Sequence, residues 1–195
     1  SVEGYIRDPE LVINFYNERR KQLLDVEPNA GHTGLAELEK DFNVTVVTQN
    51  VDNLHERAGS THVIHLHGEL TKVCSSRDPY NPRYVRELKP EEYEVKMGDK
   101  AGDGSQLRPF IVWFGEAVPE IETAIGYVEK ADIFVIIGTS MNVYPAAGLL
   151  NYVPRTAEVY LIDPKPVDTH SMRQIHVIQK GASEGVKELK TEILH

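Results

Sequence analysis

Cysteine, basic charge and long apolar runs are scarce in this sequence. Cys74 is the one cysteine among 195 residues, which excludes an intramolecular disulfide and an all-cysteine metal cage and is typical of a reducing compartment. No stretch approaches the ~20 apolar residues of a membrane-spanning helix, and nothing at the amino terminus resembles a signal peptide. We therefore expect a soluble protein without a membrane partner, with the cytoplasm as its default location.

Basic residues are outnumbered by acidic ones. The chain has 21 Lys and Arg against 30 Asp and Glu, a formal net charge of −9 at pH 7. This balance argues against general binding to DNA, RNA or an anionic membrane surface. An anionic ligand must therefore be held by a local site.

Short apolar runs rich in β-branched residues alternate with amphipathic segments along most of the chain. The runs predict strands at 44–48, 62–68, 111–114, 133–137 and 158–163. The first predicted helix has Asp8 as its cap and Pro9 at its first position. This alternation predicts an α/β fold, a parallel sheet with helices on both faces. In such sheets ligands bind beyond the carboxyl ends of the strands.

A polar cluster follows the first predicted strand. It runs from Thr48 to His55 and includes Gln49, Asn50 and Asp52. The amides can pair with a carboxamide or a sugar, and the carboxylate can accept a hydrogen bond from a ligand. Helix capping is the alternative role for such residues at a strand-to-helix turn.

A histidine cluster ends the second predicted strand. Strand alternation places His65 and His67 on one face and Leu66 on the other. The pair is interpreted as a general base, as a metal-binding pair, or as hydrogen-bonded histidines of the core.

A third cluster follows the strand at 133–137. Gly138, Thr139 and Ser140 provide small residues, hydroxyls and backbone N–H groups of the kind that bind phosphate. The same residues also form plain turns.

Taken together, these motifs resemble the sirtuins, the NAD-dependent protein-lysine deacylases. The motifs TQNVDNLH, HLHGEL, VWFGE, GTSMNVYPAAG and a strand ending in LID occur in the family's order. They cover most of residues 28–185. The resemblance implies a Rossmann-like sheet plus a small inserted lobe, with NAD and an acylated lysine bound in the cleft.

The resemblance also implies a domain plan. Residues 1–40 form a helical module of the small lobe. Residues 41–72 and 109–195 form the Rossmann-like NAD-binding domain. Residues 73–108 form the inserted lobe.

Particular site residues are implied by the same motifs. His67 matches the catalytic base, and Asn50 and Asp52 orient the sugar. The residues matching the NAD site are Gln49, Asn50, Asp52, Gly138, Thr139, Ser140, Asp163 and Ala182. The residues matching the edges between which the peptide lies as an added strand are Val112, Trp113, Phe114, Gly115, Glu116, Val143 and Tyr144.

The implied reaction transfers an acyl group (acetyl and/or succinyl, malonyl) from a protein lysine side chain to NAD. The acyl oxygen attacks the ribose carbon that carries nicotinamide, and nicotinamide leaves. The ribose 2′-hydroxyl then takes the acyl group after neutral His67 accepts a proton. An attacking water, oriented with the sugar by Asn50 and Asp52, is consumed, and the products are free lysine, nicotinamide and an O-acyl-ADP-ribose.

The first helix offers a clue to the acyl group. Val12, Tyr16, Arg19 and Leu23 fall on one helical stripe, so we expect Arg19 to be partly desolvated and to need an anion. The pattern FYNERR resembles the sirtuin subclass that removes succinyl, malonyl or glutaryl groups. In that subclass such a tyrosine and arginine hold the acyl carboxylate. The alternative is an internal pairing of Arg19 with a glutamate.

Three features depart from the family. Its four zinc-binding cysteines are represented only by Cys74, so we expect a metal-free lobe held by residues such as Tyr80, Tyr84, Leu88 and Tyr93. Asp163 stands where the family usually has asparagine. The opening glycine-rich segment would precede Ser1, so we expect either an upstream segment or a chain that is not active by itself.

Two other functions remain open on the sequence alone. One is a non-catalytic NAD- or ADP-ribose-binding module of the same fold. The other is a metal hydrolase using His62, His65 and His67, which the scarcity of nearby carboxylates disfavours. The oligomeric state is open, and a monomer is plausible.

Overall fold

The structure, a computed structural model, describes residues 1–138, 146–169 and 173–194. The helices are α1 (Val2–Arg7), α2 (Pro9–Leu23), α3 (Ala30–Glu37), α4 (Leu54–Arg57), α5 (Ile121–Val128), α6 (Ala146–Leu149) and α7 (Ala182–Ile193). The strands are β1 (Val46–Thr48), β2 (Val63–His65), β3 (Gly68–Ser75), β4 (Arg86–Glu87), β5 (Leu107–Ile111), β6 (Ile133–Ile137), β7 (Glu158–Ile162) and β8 (Ile175–Ile178).

The chain divides into two compact units. Unit 1 comprises residues 1–27, 48–53 and 65–119, and unit 2 comprises residues 28–47, 54–64 and 120–195. Residues 28–40, grouped with the small lobe on sequence grounds, fall in unit 2, and residues 109–119 fall in unit 1. The chain changes unit five times, between residues 27 and 28, 47 and 48, 53 and 54, 64 and 65, and 119 and 120.

Unit 1 is built on an antiparallel sheet with strand order β4-β3-β5. Its apolar core joins helix α2 to the inserted lobe and contains Ile13, Val73, Leu88, Val95, Ala101 and Leu107. Helix α2 begins as the sequence predicts, because the Asp8 carboxylate accepts the backbone N–H of Leu11 at 3.1 Å and Pro9 fills the first position. Burial of Leu88 confirms its expected place in the lobe core.

Unit 2 contains a parallel sheet with strand order β6-β7-β8. Strands β6 and β7 confirm the predictions at 133–137 and 158–163, and their parallel pairing confirms the α/β class. Helix α7 packs against this sheet and against α3, and its Val186 and Leu189 share a core with Tyr160, Ile162 and Ile178. Because β6, β7 and β8 are parallel, their carboxyl ends lie at the same edge of the sheet.

Two predicted strands are wrong in their bounds. The run 111–114 was expected to be a strand, but β5 ends at Ile111 and residues 112–116 form turns. The run 62–68 was expected to be one strand, but β2 ends at His65 and the chain turns at Leu66 and His67 before β3 begins. Strands β3, β4 and β8 and helices α1 and α7 were not predicted.

Within the described ranges, no helix has both the length and the apolar character needed to cross a bilayer.

Candidate active site

The segment that follows β1 is fixed against the segment that follows β2. The Thr48 carbonyl accepts the backbone N–H of Leu66 at 2.9 Å, and the Val51 carbonyl accepts that of Leu70 at 2.7 Å. These two hydrogen bonds bracket the turn that carries His67. All of these residues belong to unit 1.

The predicted sugar-binding residues lie on the first of these segments. The Asn50 backbone N–H donates to the Thr48 hydroxyl at 3.0 Å, and its carbonyl accepts from Nδ1 of His65 at 3.0 Å. The Asn50 backbone is therefore held on both sides while the residue is exposed. Gln49 and Asp52 are partly buried.

The two histidines differ in environment, contrary to the predicted alternation. His65 is 7% exposed and bonded to Asn50, whereas His67 is only partly buried on the turn after β2. The turn replaces the strand that was expected to place both rings on one face. Burial lowers the pKa of His67 from its ordinary value of 6.5, so its imidazole is neutral at pH 7 and can accept a proton.

The turn at His67 is completed by Gly68. Its φ is +90°, and a Cβ there would lie 2.1 Å from the Phe110 carbonyl oxygen. Only glycine fits this close approach of two strands. The His67 carbonyl then accepts the backbone N–H of Val112 at 2.9 Å, which fixes the predicted peptide-binding segment beside the predicted base.

The segment 112–116 is organised by the Glu116 carboxylate. Oε1 of Glu116 accepts the Trp113 backbone N–H at 2.8 Å and the Tyr80 hydroxyl at 2.8 Å. Both terminal nitrogens of buried Arg108 donate to the same carboxylate, at 3.2 and 3.3 Å. Phe114, between these anchors, is 95% exposed.

The charges of Arg108 and Glu116 stabilise each other. Burial by itself raises the pKa of Glu116, but hydrogen bonds from Arg108, Trp113 and Tyr80 outweigh it and the pKa is lowered. Burial lowers the pKa of Arg108, but the hydrogen bond to Glu116 together with the charges of Cys74, Glu116 and Tyr80 outweighs that effect and the pKa is raised. Both groups stay charged, as an ion pair with satisfied hydrogen bonds requires.

Sequence reasoning missed Arg108 and the anchoring role of Tyr80. A signal was present, since Arg108 is the one charged residue of β5 and Glu116 follows eight residues later with opposite charge. A buried charge inside a strand requires a partner.

Helix α2 contributes Tyr16, Arg19 and Arg20. Tyr16 is partly buried, and its hydroxyl oxygen accepts from the indole N–H of Trp113 at 3.1 Å. Arg19 is exposed, with its guanidinium carbon 5.9 Å from the centre of the Phe15 ring. The expectation that Arg19 is partly desolvated is therefore wrong.

The desolvated arginine of this helix is Arg20. It is 3% exposed and donates to the carbonyls of Leu70 and Tyr93, both at 2.7 Å, and to Asn17 at 2.9 Å. Burial lowers its pKa to about 10. A one-residue step on a helix turns the side chain by about 100°, which separates an exposed arginine from a structural one.

In unit 2, the predicted nucleotide-binding residues lie at the carboxyl edge of the parallel sheet. Gly138 follows β6 and its N–H donates to the Ile162 carbonyl at 3.1 Å. Asp163 follows β7, and one carboxylate oxygen accepts the Lys165 N–H at 2.8 Å. Ala182 is the first residue of α7, whose N-cap Gly181 offers no side-chain acceptor. Thr139, Ser140, Val143 and Tyr144 lie outside the described residues.

A cluster of polar side chains holds the end of β3 in the inserted lobe. Ser75 is fully buried, and its hydroxyl contacts Asp103 and Ser105 and accepts the N–H groups of Arg77 and Asp78. Hydrogen bonds from Ser105 and Ser75 lower the pKa of Asp103 to about 2. These polar residues were not predicted, whereas Tyr80 was.

The metal-hydrolase alternative requires three histidines to converge. His62 is bonded to the Thr45 hydroxyl at 2.8 Å and packs edge-on against Tyr127. Over the part of the chain that the structure describes, His62 and His67 belong to no group of potential metal ligands. The geometry gives this alternative no support.

The chain is similar to several known proteins. The Sir2 family matches residues 1–145. An NAD-dependent protein deacylase of Bacteroides thetaiotaomicron is 85% identical over 188 residues, which cover 96% of this chain and 80% of that protein. A solved Sir2 homologue in complex with NAD superposes with a TM-score of 0.83 at 35% identity, over 98% of this chain and 75% of that one. A solved Sir2 complex with p53 peptide and NAD+ gives a TM-score of 0.78 at 29% identity, over 98% of this chain and 81% of that one.

Proposed function

The chain belongs to the Sir2 family, and we propose that it removes acyl groups from protein lysine side chains in an NAD-dependent reaction. One observation of the structure carries the proposal. His67, neutral and only partly buried, lies on a turn whose flanking residues are hydrogen-bonded to Thr48 and Val51, in the segment that contains Asn50 and Asp52, and its carbonyl accepts the N–H of Val112. A module that only binds a nucleotide does not need a proton acceptor at this place, and the 85% identical relative is named as an enzyme.

His67 is the general base in this proposal. Bound NAD supplies the ribose carbon that receives the acyl oxygen and the 2′-hydroxyl that takes over the acyl group. His67 accepts the proton of that hydroxyl at a ring nitrogen, which it can do because burial lowers its pKa. Asn50 and Asp52 orient the sugar, so that their contribution is positioning rather than proton transfer.

The proposed contacts with NAD are assigned residue by residue. Gln49, Asn50 and Asp52 provide amide and carboxylate partners for the nicotinamide and its ribose. Gly138 and Asp163 stand directly after β6 and β7, and among the described residues no atom lies within 4 Å of a Cβ built at Gly138. Asp163 can accept from ribose hydroxyls, and the first turn of α7 at Ala182 has N–H groups with no side-chain acceptor at its cap.

The acylated substrate is a lysine within an extended peptide. Segment 112–116 follows strand β5 and is anchored at both ends by hydrogen bonds to His67 and Arg108. A peptide that adds to its edge as a strand gains main-chain hydrogen bonds without a sequence requirement. The related Sir2 protein solved with p53 peptide and NAD+ supports a peptide substrate.

We propose further that acidic acyl groups, such as succinyl and malonyl, are preferred. The support is Tyr16, partly buried with its hydroxyl held by Trp113, and Arg19, exposed one turn further along α2. No ion pair of Arg19 is found in the described residues, so its guanidinium is available to a carboxylate. An arginine and a hydroxyl together bind a carboxylate with charge-assisted hydrogen bonds.

The reaction is tested by incubating the protein with acetyl-lysine and succinyl-lysine peptides, with and without NAD, and measuring peptide masses. We expect acyl loss only with NAD, and a fall of roughly 10²- to 10⁴-fold in rate for His67→Ala, the range typical of a lost general base. His176→Ala removes an exposed imidazole of β8 and serves as the matched control. Acyl loss without NAD, or an equal effect of both substitutions, contradicts the proposal.

The acyl preference is tested with Tyr16→Phe and Arg19→Met. We expect each to lower kcat/KM for the succinyl peptide roughly 10- to 100-fold more than for the acetyl peptide, because each removes a hydrogen bond to a charged group. Arg83→Met, which removes an exposed arginine of the lobe, is the control. Equal losses on both peptides make the two residues structural and leave deacylation itself standing.

A further inference from the structure

Trp113 is the one tryptophan of the chain, and it is held on several sides within unit 1. It is 4% exposed. The Arg108 guanidinium carbon lies 3.9 Å from the centre of its ring, and the Tyr5 ring centre lies 5.2 Å away. Its backbone N–H is fixed by the Glu116 carboxylate at 2.8 Å. The indole therefore has a defined position, and its N–H has a defined direction.

That N–H points at the hydroxyl oxygen of Tyr16, 3.1 Å away. An indole N–H can only donate, so the Tyr16 oxygen must be the acceptor. The phenolic proton of Tyr16 is then directed away from the indole. Within the described ranges it has no acceptor, and Tyr16 is only partly buried.

We propose that Trp113 is a specificity-determining positioning residue, which fixes the Tyr16 hydroxyl so that its proton is presented to the carboxylate of an acidic acyl chain. This rests on the proposed preference for such chains. A hydroxyl that already accepts one hydrogen bond is polarised and becomes a better donor. A donor whose orientation is set before the substrate arrives also loses less entropy on binding.

The contact connects two parts of the site that the sequence keeps 97 residues apart. Segment 112–116 is the proposed binding edge for the peptide, and Tyr16 is the proposed contact of the acyl carboxylate. Glu116 and Arg108 hold Trp113, and Trp113 holds Tyr16. The acyl preference therefore depends on the ion pair as well as on α2.

The first test is a double-mutant cycle of Trp113→Phe and Tyr16→Phe. Phenylalanine keeps an aromatic ring but removes the N–H. We measure kcat/KM for succinyl and acetyl peptides in the parent protein, both single variants and the double variant, and read the succinyl-to-acetyl ratio. We expect Trp113→Phe to lower the ratio roughly three- to tenfold in the parent, the loss of one hydrogen bond, and to have little further effect when Tyr16 is Phe.

The inference is overturned if Trp113→Phe lowers the succinyl-to-acetyl ratio equally in the parent protein and in Tyr16→Phe, or lowers it in neither. The inference about Trp113 fails, while the proposed acyl preference stands, when Tyr16→Phe changes the ratio and Trp113→Phe does not. The proposed acyl preference fails when Tyr16→Phe leaves the ratio unchanged. The proposed deacylation fails when the parent protein removes neither group.

A second measurement does not depend on activity. Because Trp113 is the one tryptophan, its fluorescence reports on this contact directly. We expect Tyr16→Phe to shift the emission to shorter wavelength, since the indole loses its acceptor, while Tyr84→Phe, a partly buried tyrosine elsewhere in the lobe, leaves the emission unchanged. Identical spectra for the parent and Tyr16→Phe overturn the inference even where Trp113→Phe fails to fold.

Discussion

The environment of His67 determines the pH range in which the proposed base works. Burial lowers its pKa below 6.5, because the charged imidazolium is less well solvated than the neutral ring. The base is active when deprotonated, so activity is lost as pH falls through this lowered pKa. A histidine of ordinary pKa would lose activity at a higher pH.

We therefore predict that the acid limb of kcat/KM has its midpoint below pH 6.5. The measurement is a pH profile with an acetyl peptide at saturating NAD. The residual rate of His67→Ala, followed over the same range, should not show this limb. A midpoint at or above 6.5 contradicts the assignment of the limb to His67 in this environment.

Gly68 is required by the geometry of the turn that carries His67. An alanine Cβ would lie 2.1 Å from the backbone oxygen of Phe110, at a φ of +90°. Backbone cannot move aside as a flexible side chain can. Gly104 has a similar φ of +81°, but a Cβ there has no neighbour within 4 Å among the described residues.

We predict that Gly68→Ala lowers the free energy of unfolding by several kcal/mol more than Gly104→Ala, which should cost only about 1 kcal/mol of backbone strain. Urea unfolding followed by circular dichroism measures both. Similar midpoints for the two variants would mean that strands β3 and β5 separate easily at Gly68. In that case the position of His67 would not depend on this close approach.

At the scale of elements, the lobe is held by a hydrogen-bonded cluster at the end of β3. The Ser75 hydroxyl contacts two side chains and accepts two backbone N–H groups. Removing it takes the acceptor from two part-buried backbone N–H groups and a hydrogen-bond donor from Asp103, and the lost hydrogen bonds lower stability. Ser60 is also buried, at 6% exposed, but its hydroxyl has no partner among the described residues.

We predict that Ser75→Ala lowers the free energy of unfolding by about 1–3 kcal/mol, while Ser60→Ala changes it little. Both substitutions remove the same atom from a buried site, so the difference isolates the hydrogen bonds. Urea unfolding gives both values. If the two variants lose the same amount, the lobe is held by its apolar core around Leu88 rather than by the Ser75 cluster.

The elements show which parts of the fold follow from local sequence. Strands β6 and β7 were predictable because they are short apolar runs, and α2 because Asp8 and Pro9 mark its start. Strand β5 was not, because it contains Arg108 and Pro109, which normally argue against a strand. The charge is tolerated because Glu116 neutralises it, eight residues away in sequence. Such compensation is visible only after folding.

The candidate site was only partly predictable from the sequence. Motif resemblance named His67, Asn50 and the segment 112–116, and the structure holds these together within unit 1. The periodic argument about His65 and His67 was wrong, because a turn at Leu66 breaks the alternation. On α2 the stripe was right for Tyr16 but assigned burial to Arg19 instead of Arg20, since neighbouring residues differ by about 100° around a helix.

At the scale of the whole molecule, the net charge determines the long-range attraction of peptide substrates. A net charge of −9 attracts basic peptides at long range, and ions in solution screen this attraction. The screening length falls from about 30 Å at 0.01 M salt to about 3 Å at 1 M. The effect therefore belongs to the chain as a whole and should disappear when salt is added.

We predict that an acyl-lysine peptide flanked by arginines is used with a higher kcat/KM than the same peptide flanked by serines, by roughly three- to tenfold at low salt. The ratio should approach one at about 1 M salt. Because NAD is common to both reactions, its own salt dependence cancels in the ratio. A ratio that stays high at all salt concentrations would instead indicate close contacts between the arginines and particular carboxylates beside segment 112–116, where the attraction is too short-ranged to be screened.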